Sequence, residues 1–358
     1  MIRPGAANAG RRATRARRRL AAWALATAVA LAGCSQGPDS AQLRFLSLGT
    51  QVEVSVRDTG GGSPQAAAEA ARAEIEAIDE AWQPTRGSEL GRLNERLAEG
   101  QPMAVSDELI AVLERARAIE AKTGGRFSPA IGGLIELWGF SSADGPLSAP
   151  PPEAEIQAWV QKAPRVADLR WDEGNRVSTR NEAVRLDLGG IGKGFAGQQA
   201  AEALREHGAR SALVSLGGDL VTVGKPAGRP WRMGVRDPRD DSVLAAVEAR
   251  ADESVFTSGD YERSFTHEDR RYHHILDPTT GYPAMGSRSV TVIHEDPVLA
   301  DAAATALFIA GPEDWRALAE RLGIRHVLLI DNDGEAWLTE AMAARVEMRH
   351  EPEAVHVE

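Results

Sequence analysis

Apolar and polar positions along this chain follow two rhythms, one of period two and one of helical period. Glycine or proline separates most of the runs. From Leu43 to Val56 the apolar Phe45, Leu48, Val52, Val54 and Val56 predict a strand, broken at Gly49-Thr50. A glycine-rich turn follows, and Gln65 to Trp82 predicts a long Ala/Glu/Arg helix with Ile75 and Ile78 inward. Leu90 to Leu97 predicts a short helix, and Ser106 caps another that runs to Thr123 and stops at Gly124-Gly125. Residues 141–152, with four prolines, predict a surface loop, and Glu153 to Lys162 a helix. Leu169 to Leu188 predicts a hairpin turning at Glu173-Gly174-Asn175.

The run Val184, Leu186, Leu188 then reads as a strand end. Four glycines in the six positions 189–194 follow, with Lys193 among them, and Ala196 to Leu204 predicts a helix. Ala212 to Leu216 is a buried strand ending at Gly217-Gly218-Asp219, with further strands through Val223, Trp231 to Val235, Ser254 to Ser258 and Ser289 to Ile293. Arg271 to Leu276 runs into the turn Asp277-Pro278-Thr279-Thr280-Gly281. Asp296 is placed as an N-cap with Pro297 at the first helical position, and that helix stops at Gly311-Pro312. No repeat and no strict βαβ alternation occurs, so the expected fold is α+β with mixed sheets. One domain is expected over 43–345, followed by a loose polar tail over 346–358.

Charge and the N-terminus change this picture in two ways. The formal net charge is −11, and residues 1–33 carry seven arginines and no acid, so the rest of the chain is more acidic still. Such a balance argues against a nucleic-acid partner. Residues 1–33 combine a basic run with the apolar stretch Leu20 to Ala32, which reads as a signal peptide rather than fold. Leu31-Ala32-Gly33-Cys34 looks like a bacterial lipobox, with Cys34 the lipidated residue and 34–42 a tether. Multiple acyl chains would hold the protein stably on a membrane. The expected location is extracytoplasmic, with the outer membrane favoured where there is one. Cys34 is the sole cysteine, so no internal disulfide is expected.

Three stretches carry candidate chemistry. A strand, a glycine turn and a helix in succession point backbone N–H groups at an anion, most often a phosphate. Gly192 to Gly197 also matches G-x-G-x-x-G, with Asp219 about twenty residues on, but a dinucleotide fingerprint belongs to repeating βαβ units that this chain lacks. Asp301 and Thr305 are four apart on a helix lined by alanines, hence on one face. Hard oxygen donors of this kind suit Mg²⁺; a local cap is the alternative. His273 and His274 are adjacent on a strand, so at most one ring faces a given pocket. A neutral imidazole there is either a general base or a hydrogen-bonding surface group.

Eight motifs in order then resemble those of one family. They are Ser47-Leu48-Gly49-Thr50, the Ser88 to Asn94 run, Phe127-Ser128-Pro129 with Leu137-Trp138-Gly139-Phe140, and Asp187 to Gly194. Leu216-Gly217-Gly218-Asp219, Thr257 to Tyr261, His274 to Gly281 and Leu299 to Leu307 complete the set. Together they resemble the FAD:protein FMN transferases, the ApbE family, over about 45–335. The resemblance implies cleavage of FAD at its diphosphate and attachment of FMN to a Thr or Ser hydroxyl of an acceptor protein, releasing AMP. Hydrolysis of FAD to FMN and AMP, or flavin binding without turnover, are the alternatives. It also implies Mg²⁺ held by Asp301, Thr305 and the Gly190 carbonyl, and FAD contacts from Asp187 and Lys193. Leu48, Gly49, Thr50, Phe127, Ser128, Ser258, Gly259, Asp260 and Ile275 would line the flavin site, and His274 would serve transfer. An extracytoplasmic redox subunit is the implied acceptor. Leu48 stands where the family usually has Met, Ser128 where Asp is common, and Pro84 where many members have a Tyr, for which Trp82 is a possible substitute.

Overall fold

The computed structural model describes residues 40–358 except 84, 86, 142–144, 227, 228 and 241. The signal peptide, Cys34, most of the tether and Pro84 lie outside the described residues. The core is a nine-stranded sheet whose strands lie side by side in chain order. These are β1 (Ala41–Ser47), β2 (Thr50–Asp58), β3 (Ser211–Leu216), β4 (Asp219–Gly224), β5 (Ser254–Gly259), β6 (Ser287–His294), β7 (His326–Asp331), β8 (Ala336–Leu338) and β9 (Val355–Val357). All neighbours are antiparallel except β8 and β9, which are parallel. The expected α+β class with mixed sheets is therefore what the chain forms.

Alternation along the strands explains the layers. Phe256, Val290, Val292, Val327 and Leu329 belong to the core shared with the helices. Their neighbours Val255, Ile293, Leu328 and Ile330 pack instead with Met233, Val235, Leu244 and Val247. Those last four come from a separate three-stranded sheet of Trp231–Arg236, Val243–Ala249 and Val346–Met348. The main sheet is thus covered on both faces there, which is why β6 and β7 are buried at nearly every position.

The helical layer contains α1 (Pro64–Trp82), α2 (Glu89–Ala98), α3 (Asp107–Thr123), α4 (Gly192–Glu206) and α5 (Pro297–Leu322). Ala67, Ala68, Ala71, Ile75, Ile78 and Trp82 form the buried stripe of α1. The start of α5 is as expected: Asp296 Oδ1 accepts from the N–H groups of Val298 and Leu299 at 3.0 and 3.1 Å, and Pro297 opens the helix. Gly311, with φ 68° and ψ −179°, interrupts α5 just before Pro312, where the stop was expected. Ala300, Ala302, Ala303, Ala304, Ala306, Leu307 and Phe308 are all buried, as suits a helix covered on every side.

Four expectations need correction. Residues 43–56 form a hairpin, with Ser47 opposite Thr50 and Leu48-Gly49 as the two-residue loop. Both loop residues have positive φ, 53° and 69°, the combination of a type I′ turn. Leucine is a poor choice there, so composition hides the turn. The run at 184–188 is extended and buried on alternate residues, yet its only pairing in the described chain is a single bridge from Arg185 to Ile131. Its polar groups are met otherwise. The Asn94 side chain of α2 donates to Leu186 O at 2.9 Å and accepts from Leu186 N at 2.7 Å. Asp187 N donates to Pro129 O, and Gly132 N to Arg185 O. Helix α4 begins at Gly192 rather than Ala196, so Lys193 and Gly194 stand in its first turn. Residues 346–358 are not a loose tail. Val346–Met348 pairs with Val243–Ala249, β9 pairs with β8, and Arg345 forks onto Glu253 at 2.7 and 2.8 Å.

Asn94 acts here as a one-residue strand partner for the segment that leads into the glycine turn. Asn94→Ala leaves the Leu186 N–H and C=O buried and unpaired, at about 1–3 kcal/mol each. Urea unfolding is expected to show a loss of about 2–6 kcal/mol, and a loss below about 0.5 kcal/mol would show that the segment holds its shape without this contact.

Candidate functional site

The glycine turn meets α5 at its first turn. Asp301 is buried, and its Oδ2 accepts from Gly194 N–H at 2.8 Å. No Cβ fits at Gly194: one would stand 2.4 Å from Pro297 O and 2.9 Å from Asp301 Cβ. The other Asp301 oxygen has no hydrogen-bond partner among the described residues. Burial raises the Asp301 carboxyl to about 7. Lys193 and the Gly194 N–H oppose that rise, while Asp219 and Glu262 reinforce it.

One turn along α5, Thr305 Oγ1 lies 3.1 Å from Ser258 Oγ, at the end of β5. Gly190 lies beside them. A carbon added there would be 3.5 Å from Thr305 Oγ1 and 3.4 Å from the Phe127 ring. Gly190, Asp301 and Thr305, far apart in sequence, therefore come together around the turn. Asp301, Thr305 and the turn's backbone make a small oxygen-donor set, open at one carboxylate oxygen. Among the described residues no group of three His, Cys, Asp or Glu is placed to hold a metal ion. A hard cation that keeps much of its water shell is the metal such a set fits.

Lys193 pairs with Asp219 Oδ2, and Asp219 Oδ1 accepts from Thr257 N at 2.8 Å. Burial alone would lower the Lys193 ammonium, but Asp219, then Asp301 and Glu262, outweigh it and the net shift is upward. The side chain keeps 23% of its surface exposed, so the charge borders solvent. Asp187 Oδ1 accepts from Gly189 N at 2.8 Å, which folds the turn back on itself. Thr50 packs beneath Gly217, where an added Cβ would stand 2.4 Å from Thr50 Oγ1. The Leu48-Gly49 turn thereby joins the same corner. An added carbon at Gly259 would stand 2.3 Å from the Tyr261 ring, so that position also needs a glycine.

The strand Arg270–His273 ends at the first histidine, so His274 lies just beyond it, and the two rings have different surroundings. His273 Nε2 meets Ala284 O at 2.9 Å and its Nδ1 accepts from Ile275 N at 3.3 Å, so its ring is a buried fastener. His274 Nδ1 is buried without a hydrogen-bond partner, and the ring stands edge-on to Phe140 at 6.5 Å. Burial, then Arg263, His273 and Lys193, push His274 down to about 3, so the ring is neutral at pH 7. Ile275 is buried next to it. Asp260 also has a buried oxygen without a partner, and burial raises its carboxyl against the pull of Arg271 and Arg288.

Two residues are disposed differently from a ligand-facing side chain. The Ser128 hydroxyl is turned inward to Glu120 Oε1, and that buried carboxylate also accepts from Val166 and Ala167 N–H. Only backbone remains at Ser128 for a ligand. Trp82 is buried against Phe195 with ring centroids 5.0 Å apart, so its ring belongs to the core. Asp219 was missed as a site residue. Its signal is the Leu216-Gly217-Gly218-Asp219 motif after a buried strand, one of the eight, to which no residue role was attached.

A sheet-backed glycine turn, with a carboxylate and hydroxyl from α5 and a lysine from α4, gathers oxygen donors and an ammonium at one corner of an α+β fold. The profile of the ApbE family matches residues 48–328. The chain is 38% identical to the FAD:protein FMN transferase of Rhodobacter capsulatus, over 90% of this chain and 62% of that protein, so it spans less than two thirds of that relative. It is 32% identical to the FAD:protein FMN transferase of Haemophilus influenzae, over 87% of this chain and 92% of that one. The crystal structure of the ApbE protein from Thermotoga maritima superposes with a TM-score of 0.79 at 34% identity, covering 86% of this chain and 99% of that one. The flavin transferase ApbE from Vibrio cholerae gives 0.74 at 27% identity, covering 86% and 99%. This chain belongs to the ApbE family.

The raised Asp301 carboxyl has a direct consequence for metal-free protein. The folded state holds a proton between about pH 4 and 7 that the unfolded state releases, so stability falls as pH rises through that window. Asp301→Asn removes the ionisation. In chelator, its stability relative to wild type is expected to rise by about 4 kcal/mol between pH 4 and 8. A difference that stays flat with pH in urea unfolding would contradict the assignment.

Proposed function

We propose that this protein transfers the FMN moiety of FAD to a Thr or Ser hydroxyl of an acceptor protein, releasing AMP, in a Mg²⁺-dependent reaction. The observation that carries the reading is the bond from Gly194 N–H to Asp301. It joins the last of the eight motifs to the glycine turn, so residues scattered over the chain act at one place. The names borne by the relatives point to the same reaction.

In this reading Gly190 through its carbonyl, Asp301 and Thr305 hold Mg²⁺, which when bound neutralises charge on the diphosphate. Asp187 and Lys193 contact FAD, and the Lys193 ammonium meets the diphosphate. Leu48, Gly49, Thr50, Phe127, Ser258, Gly259, Asp260 and Ile275 line the flavin site, with Ser128 contributing backbone. The acceptor oxygen attacks the FMN phosphorus, and the bond from that phosphorus to the bridging oxygen breaks, so AMP leaves with the oxygen. His274, neutral in the resting site, takes the proton of the hydroxyl. Burial depresses His274 most, and Arg263, His273 and Lys193 add to it; the anionic diphosphate of FAD would offset the charge part of that depression. Such phosphoryl chemistry needs positioning and charge neutralisation more than covalent help.

Cys34 is the lipid-anchored residue in this proposal, and the protein works on the extracytoplasmic side of a bacterial membrane, on a redox subunit found there. β1 starts at Ala41, so the fold begins close to the anchor.

His274→Ala is expected to lower transfer about 10²–10⁴-fold, the usual loss for a positioned base, while FAD binding by fluorescence stays near wild type. Transfer at the normal rate in that variant would put the base elsewhere. Asp301→Ala should abolish transfer at every Mg²⁺ concentration; unaltered activity would remove the metal assignment.

A further inference from the structure

Lys193 stands among three carboxylates, Asp219, Asp301 and Glu262, and it pairs with only one of them, Asp219. Of the three, Asp219 and Asp301 are buried and Glu262 is exposed. The choice matters because Asp301 has an oxygen without a hydrogen-bond partner among the described residues and is close enough for its charge to act on Lys193. Asp219 is itself fixed. It follows the left-handed pair Gly217 and Gly218, with φ of 68° and 106°, and its second oxygen is tied to Thr257 N at 2.8 Å. Thr257 adjoins Ser258, whose hydroxyl bonds Thr305. One carboxylate therefore fixes both the ammonium and the strand end that supports a proposed metal ligand.

We propose that Asp219 is a positioning residue that keeps the Lys193 ammonium off Asp301, so that the lysine serves the diphosphate and the aspartate serves the cation. The inference rests on the metal site proposed above. An ammonium that loses one carboxylate partner is drawn to the next carboxylate beside it, here Asp301. Without the Asp219 charge, Lys193 turns to Asp301, fills the oxygen the cation needs, and withdraws from the substrate. Positive and negative charges in the site are thus kept in separate roles by a residue that touches neither ligand.

The test is Mn²⁺ binding to the purified protein without FAD, read by the electron paramagnetic resonance signal of free Mn²⁺. Asp219→Asn retains the acceptor for Thr257 N–H but loses the charge, and is expected to weaken Mn²⁺ binding at least tenfold. Adding Lys193→Gln to it is expected to restore binding to within threefold of wild type, because the competing ammonium is gone. Asp219→Glu keeps the charge and is expected to bind Mn²⁺ within threefold of wild type. Unchanged binding in Asp219→Asn, no recovery in the double variant, or a tenfold loss in Asp219→Glu would each overturn the proposal. Failure of the metal site itself looks different: wild type then binds no Mn²⁺, or binds it equally well as Asp301→Ala.

Discussion

The structure depends on how closely the first turn of α4 approaches α5. That approach is possible because residue 194 is a glycine, and it is locked because the Gly194 N–H donates to a buried carboxylate. Helix N-termini leave such N–H groups without partners inside the helix. Here the partner is a charge drawn from more than a hundred residues away. The cost is a buried carboxylate raised to about 7 even though Lys193 and the Gly194 N–H hold it down. A fold that keeps such a group spends stability on a site, as strained and buried ionisable groups near functional residues commonly do.

The rest of the architecture serves that meeting. The sheet supplies β5 and the Gly217-Gly218 corner, which carry Ser258 and Asp219. Asn94 and the Pro129 carbonyl hold the extended segment that feeds the turn. Trp138 Nε1 donates to Gly281 O at 2.9 Å, and Arg263 to Phe140 O at 3.1 Å, so the Leu137 to Phe140 motif braces the His274 side of the site. Motifs that look unrelated in the chain are thus often supports for one another and not ligand contacts.

How much of this was legible in the sequence follows from what each feature depends on. Helices set by local chemistry could be read: Asp296 with Pro297, Ser106, and the break at Gly311-Pro312 all act through their nearest neighbours. Asp301 and Thr305 could be paired because helical spacing alone puts them on one face. Features that depend on distant partners could not. The positive φ at Leu48 is imposed by the strands it joins, and the segment at 184–188 has a strand's pattern but takes a side chain as its ladder. The run after Arg345 pairs only because two sheets offer it an open edge, while Arg345 itself meets Glu253. Asp219 shows the same limit most clearly, since its role lies in which of several lysine–carboxylate pairs forms.

The central claim is that the site moves FMN onto a hydroxyl and does not merely bind or hydrolyse FAD. The most direct measurement incubates the purified protein with FAD, Mg²⁺ and an extracytoplasmic redox subunit, then follows acceptor mass and nucleotide products together. The expected result is an acceptor carrying FMN through a Thr or Ser, with one AMP released for each FMN attached. Free FMN with AMP and an unmodified acceptor, or FAD left intact, would contradict it.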